Sequence, residues 1–123
     1  MLCPDLVLCQ SDCESAYVQA SLPDDDVTYV FLTDRRWWPN KWFHDGSKRQ
    51  QPKYLNPVVR LKKALYGHPR AGDLWADKLA GVLKEEGFEA VDGWPSMYIK
   101  LTPGEPPVVI DVYVDDLIMW GRS

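Results

Sequence analysis

Val108-Val109-Ile110-Asp111-Val112-Tyr113-Val114-Asp115-Asp116-Leu117-Ile118-Met119-Trp120 is the stretch that decides the fold. Two apolar, β-branched runs, Val108–Tyr113 and Leu117–Trp120, flank a short polar centre. That is the pattern of a β-hairpin with Asp115 and Asp116 at its tip. Neighbouring carboxylates repel, so both stay ionised only where a cation or hydrogen-bond donors compensate them. Aspartate is also a common turn residue. On the doublet alone, a plain acidic turn and a cation site both stand.

A second carboxylate at a strand end lies near the start of the chain. Leu6–Cys9 is a short apolar run followed by Gln10, Ser11 and Asp12. It predicts a buried strand that delivers Asp12 at its end. Residues 13–20 predict a short helix capped by Asp12 or Ser11. Three hard oxygen ligands from two strand ends suit Mg2+, which takes one or two carboxylates together with substrate phosphates. Two such ions about 4 Å apart serve phosphoryl transfer.

The remaining periodicity fills in an α+β domain. Val27–Thr33, Val58–Lys62 and Met97–Leu101 read as strands, and Tyr66–Pro69 reads as a turn. Over Arg70–Glu86 the period becomes helical, with Trp75, Leu79, Val82 and Leu83 on one apolar stripe. Gly87 suits the position just past the helix end. The expected architecture is a small antiparallel sheet bearing the hairpin, with the Arg70–Glu86 helix packed on one face.

Charge divides the chain. The net charge is −4, which by itself argues against a nucleic-acid partner. Yet residues 35–70 hold ten Lys/Arg and one acid, a local charge of +9, while the remainder carries −13. Inside the basic part, residues 34–57 are aromatic, interrupted by Pro39 and Pro52, and without a clean period. So long an irregular segment in a small domain is usually functional or mobile. Arg35, Arg36, Lys41, Lys48, Arg49, Lys53, Arg60, Lys62 and Lys63 could contact phosphates. Trp37, Trp38 and Trp42 could stack on bases or ribose. The competing reading is a solvated basic loop whose tryptophans pack on the domain.

Several classes are excluded or disfavoured. Cys3, Cys9 and Cys13 are odd in number and crowded at one end, so they make no secreted disulfide framework and no common zinc motif. Free thiols are expected. No apolar run reaches the roughly 18 residues of a membrane span, and the start lacks signal-peptide order. An intracellular protein, cytoplasmic or nuclear, follows as the expectation. With 123 residues the chain is one domain's worth, too short for a complete polymerase.

Several segments together resemble the reverse transcriptases of Ty1/copia-type retrotransposons. Tyr113-Val114-Asp115-Asp116 followed by Leu117-Ile118 looks like their YxDD box. Leu61-Lys62-Lys63-Ala64-Leu65-Tyr66-Gly67, then Trp75, resembles their LKKSLYGLKQAPRQW segment. Asp12-Cys13-Glu14-Ser15-Ala16-Tyr17-Val18 is similar to DVKTAFL, and Gly87-Phe88 with Pro95-Ser96-Met97-Tyr98-Ile99-Lys100 parallels GF…DPSLFIK. The resemblance runs in order from about Leu6 to Arg122.

The resemblance implies roles. Asp12, Asp115 and Asp116 would be the three catalytic carboxylates, with Asp12 and Asp115 the main Mg2+ ligands and Asp116 supporting. Two Mg2+ ions are implied, with Mn2+ an alternative. Tyr17 would pack against the sugar of the incoming deoxynucleoside triphosphate, although alone it reads as a helix-core aromatic. Tyr113 would lie near the primer end, although alone it is a plain strand residue. Arg70 falls where the family has a glutamine near the nucleotide, and Asp73 where it has an arginine. Asp111 stands where the family has an apolar residue. On a strand it would share a face with Tyr113 and Asp115, either as an extra acid beside the metals or as a sign of relaxed selection.

The resemblance places residues 34–57 in the fingers as an insertion within a single palm-type domain, 1–123. It implies an RNA template and an RNA–DNA hybrid as partners, and leaves the oligomeric state open. The thumb, most of the fingers and the later palm strands are expected to be missing. The implied function is RNA-directed DNA synthesis by a fragment that is incomplete or inactive alone. The alternatives are a non-catalytic nucleic-acid-binding relic and, with less to support it, a metal-dependent phosphohydrolase.

Overall fold

A computed structural model describes residues 5–122. Cys3, expected as a free thiol, lies outside them. The chain divides into two compact units. One is formed by the residues up to Ser21 and from Lys63 onward, the other by Leu22–Lys62.

The first unit is an α+β layer pair. Its sheet contains β1 (Leu6–Asp12), β4 (Glu89–Val91), β5 (Trp94–Lys100), β6 (Val108–Tyr113) and β7 (Asp116–Arg122), in the order β1-β7-β6-β5-β4. Every pairing is antiparallel. β6 and β7 pair antiparallel from Val109↔Trp120 to Tyr113↔Asp116, so Val114 and Asp115 lie between them and Asp116, expected at the tip, belongs to β7. The β4 strand, absent from the sequence-based expectation, is three residues long and joined to β5 through a tight turn at Gly93. So short an element leaves little periodic signal.

Helix α2 (Ala71–Glu85) covers one sheet face and follows the apolar stripe closely. Trp75, Leu79 and Leu83 are buried with Ile110 of β6 and Ala16, and Phe88, Tyr98, Val112 and Leu117 pack against them. Val82, expected in the stripe, sits at its margin and is 45% exposed. The helix ends as Gly87 suggests. Gly87 has φ +87°; its N–H donates to the Lys84 carbonyl, and the Phe88 N–H donates to the Leu83 carbonyl. This is a Schellman closure, with Phe88 folded back onto the core. Asp73 lies in the first turn of α2, where a negative charge is favoured by the helix dipole.

Two expectations near the start are corrected. β1 forms and ends on Asp12 as expected, but it is exposed throughout. It is an edge strand, bonded among the described residues only to β7, so Leu6, Val7 and Leu8 remain about half or more accessible. The following helix, α1 (Ala16–Gln19), is shorter than expected, and neither Ser11 nor Asp12 caps it. Ser15 takes the N-cap position in the left-handed region, with no side-chain cap bond.

In the second unit, β2 (Tyr29–Phe31) pairs with β3 (Val58–Arg60). Between them the irregular segment folds through three 3-10 turns: Arg35–Trp37, Asn40–Trp42 and His44–Gly46. Trp38 and Phe43 are each 2% exposed and form a small core of their own. Their rings lie 5.9 Å apart, and the Trp38 Nε1–H donates to the Leu32 carbonyl at 2.7 Å.

The α2 stripe is the main source of packing in the first unit. Leu79→Ala should therefore cost about 3 kcal/mol, the usual range for a buried leucine truncated in a core. Urea denaturation checks this; a loss below about 0.5 kcal/mol, typical of surface changes, would contradict it.

Candidate active site

The acidic residues singled out by the sequence lie at one end of the sheet. Asp12 closes β1 and is the cross-strand partner of Asp116, which opens β7. Asp116 is also partnered by Tyr113, the last residue of β6. Asp115 lies in the two-residue turn between those strands. Asp12 is exposed, whereas Asp115 and Asp116 are partly buried.

The turn is held from two sides. Its first residue, Val114, has φ +58°, an outlier for a β-branched side chain and a position where hairpins ordinarily use glycine. The buried Trp75 of α2 donates its indole N–H to the Val114 carbonyl at 2.6 Å. The Cys13 backbone N–H, just past β1, donates to the Asp115 carbonyl at 2.7 Å. Both turn carbonyls are thereby occupied.

Cys13 reports on the charge collected here. Its thiol pKa is pushed up by partial burial first, and then by the negative charges of Asp12 and Asp115. Among the described residues, no three His, Cys, Asp or Glu side chains stand close enough together to form a ready-made cation cage. The donor set nevertheless suits Mg2+ or Mn2+: hard carboxylate oxygens at adjacent strand ends. Mg2+ keeps several waters and draws other ligands from substrate phosphates, so a complete protein cage is not its usual site.

Tyr17 lies in α1 and is partly buried. Its ring stacks at a tilt on Tyr66, with centroids 4.6 Å apart. It lines an apolar cavity of about 320 Å³ with Trp75, Tyr98, Val112 and Val114. Tyr113 is 78% exposed. Arg70 occupies the N-cap position of α2 and is exposed, with its backbone N–H directed to His68 Nδ1 at 3.2 Å. Asp111 is partly buried on β6, with Met97 and Ile118 as cross-strand partners. Its strand alternation carries to Tyr113 and stops there. Asp115 belongs to the turn, so the expected shared face does not reach it.

Residues 4–123 match the family described as reverse transcriptase (RNA-dependent DNA polymerase). The chain belongs to this family. It is 33% identical over 67 residues to the truncated transposon Ty1-A Gag-Pol polyprotein of Saccharomyces cerevisiae, a match covering 54% of this chain and 5% of that protein. The transposon Ty1-DR5 Gag-Pol polyprotein of the same yeast gives the same identity, over 4% of its length. For the transposon Ty1-MR1 Gag-Pol polyprotein the identity is 31%. The chain thus spans about one-twentieth of the curated relatives it matches. No solved structure matches it. These similarities mark it as a Ty1/copia-type reverse transcriptase fragment.

The structure sorts the basic–aromatic residues of this reverse transcriptase fragment into two groups. Trp38 is core, and Trp42 is partly buried, edge-on to Trp38 and Tyr54. Packing accounts for Trp38, which has no accessible face for a base, whereas Trp42 keeps part of its surface accessible. Trp37 is 76% exposed. Arg36 is engaged by both carboxylate oxygens of Asp34, which also caps the first 3-10 turn. That pairing holds the Asp34 carboxyl below the usual range. Arg35 stacks its guanidinium over Trp38, 5.7 Å from the ring centre. Lys48 and Lys53 are directed to the backbone carbonyls of Arg36 and Lys41. Lys63, in the first unit, bonds Ser21 Oγ at 2.9 Å. Lys41 and Lys62 are exposed on the second unit.

Sequence reasoning missed three features of the site: the positive φ of Val114, the Cys13 N–H, and the Trp75 N–H as an anchor. The indole had a signal, since a buried tryptophan N–H usually finds an acceptor. Its acceptor, 39 positions away, had none. The tryptophans give a direct check. Trp37→Ala should leave stability within about 0.5 kcal/mol. Trp38→Ala should cost about 3 kcal/mol. Melting curves would separate the two; the reverse pattern would contradict the assignment.

Proposed function

We propose that this chain carries a palm-type site for RNA-directed DNA synthesis, with Asp12, Asp115 and Asp116 as its acidic centre. The observation that carries this reading is the cross-strand pairing of Asp12 with Asp116 beside an anchored turn that presents Asp115. Membership of the reverse transcriptase family supports it.

In this reading Asp12 and Asp115 hold divalent cations, two Mg2+ or Mn2+, and Asp116 supports them. The cations, when bound, supply charge neutralisation for the triphosphate and activation of the primer 3′-hydroxyl. The reaction joins that hydroxyl oxygen to the α-phosphorus of a deoxynucleoside triphosphate and releases pyrophosphate. The protein's contribution is positioning and electrostatics. Exposed Tyr113 lies against the primer end. Tyr17, braced by Tyr66, limits the space beside the sugar. Arg70, at the start of α2, is placed for the triphosphate as a cation in place of the family's glutamine.

The second unit contributes nucleic-acid contacts of the fingers type through Trp37, Arg35, Lys41 and Lys62; Lys63, in the first unit, is a separate candidate phosphate contact. Arg36 is the weakest candidate of the set, because Asp34 already neutralises it. The partners are an RNA template and its RNA–DNA hybrid.

A primer-extension assay with Mg2+ tests this. Wild-type incorporation that falls by at least about a hundredfold in Asp115→Asn, the scale on which removal of an electrostatic transition-state ligand acts, supports a catalytic role. If the wild type incorporates nothing yet binds the hybrid in a salt-sensitive way, the chain is a binding relic, and its carboxylates are not catalytic.

A further inference from the structure

We propose that Trp75 is a positioning residue for the Asp115–Asp116 tip, and that its indole N–H, rather than its bulk, tunes the cation affinity of those carboxylates. The inference rests on the tip being a cation site, as proposed above.

Trp75 is 4% exposed and belongs to the α2 core. Its N–H must find an acceptor when buried. The acceptor is the carbonyl of Val114, a residue held at φ +58° against the preference of a β-branched side chain. A valine there gains from any interaction that fixes the turn. The other turn carbonyl, that of Asp115, accepts from the Cys13 N–H beside Asp12. The two bonds tie the turn to the helix layer and to the end of β1. These bonds fix the backbone that carries Asp115 and leads into Asp116. Fixing that backbone before a cation arrives lowers the reorganisation that binding requires.

Bulk and hydrogen bond can be separated. Trp75→Phe keeps an aromatic ring and removes the donor; 3-benzothienylalanine at position 75 keeps the full indole shape without the N–H. Val114→Gly lets the turn adopt positive φ unaided. The probe is Mn2+ alone, followed by electron paramagnetic resonance on the full chain, with a thermal melt of each variant.

Both replacements of Trp75 should weaken Mn2+ binding by about fivefold, the scale of one lost hydrogen bond. Val114→Gly supplies the background in which positive φ costs nothing. In the Val114→Gly background, loss of the N–H should cost less than about twofold, the two changes being coupled through one turn. Wild-type Mn2+ affinity in the benzothienylalanine protein would overturn the proposal, and so would an equal loss in both backgrounds. Asp115→Asn runs alongside. If it leaves Mn2+ binding unchanged, the cation site itself is wrong. If it abolishes binding while the Trp75 replacements do nothing, only the positioning role fails.

Discussion

A valine fixed at positive φ is the constraint around which the working end of the first unit is organised. Left-handed backbone costs an L-residue about 1–2 kcal/mol, and Val114 carries that strain at the hairpin tip. The turn persists because its surroundings over-determine it. Trp75 occupies one turn carbonyl from the helix layer, and Cys13 occupies the other from the neighbouring strand end. α2 therefore does more than cover the sheet: it connects the hydrophobic core to the residues that bear the charge. Removing the helix would expose Ile110 and Leu117 and free the turn at once.

The opposing charges of the sequence are organised by different physics. The acids at the sheet end are gathered by strand register, since Asp12, Asp116 and Tyr113 are cross-strand neighbours. The basic residues belong largely to a segment with almost no regular structure, built on a few aromatic contacts. Trp38 and Phe43 supply its core, and several of its cations are tied to backbone carbonyls or to Asp34. Such a segment has a shape without having much secondary structure. The net charge of −4 averages over these parts and describes neither.

What could be seen from the residues followed the strength of local patterns. The hairpin was legible because two β-branched runs bracket a polar pair. The helix was legible because Trp75, Leu79 and Leu83 repeat at helical spacing, and its end because Gly87 follows. Burial was less legible. Leu6–Cys9 is apolar enough for a core strand, yet it lies at the sheet edge, and edge position is a property of topology. The tryptophans of 37–42 look alike in sequence, and only tertiary packing separates exposed Trp37 from buried Trp38. At the candidate site, ordered motifs drew attention to the acidic residues. The hydrogen bonds that hold them were not, because each joins residues far apart in the chain.

The account depends most on a divalent cation binding at the sheet end that carries Asp12, Asp115 and Asp116. Paramagnetic broadening of backbone amide signals by substoichiometric Mn2+ tests that most directly. The account predicts selective broadening at Asp12–Cys13 and Val114–Leu117, removed by excess Mg2+. Asp24, Asp25 and Asp26, an acidic run in the second unit, serve as the internal control. Broadening centred on that run, or spread evenly over the acidic surface, would contradict the account.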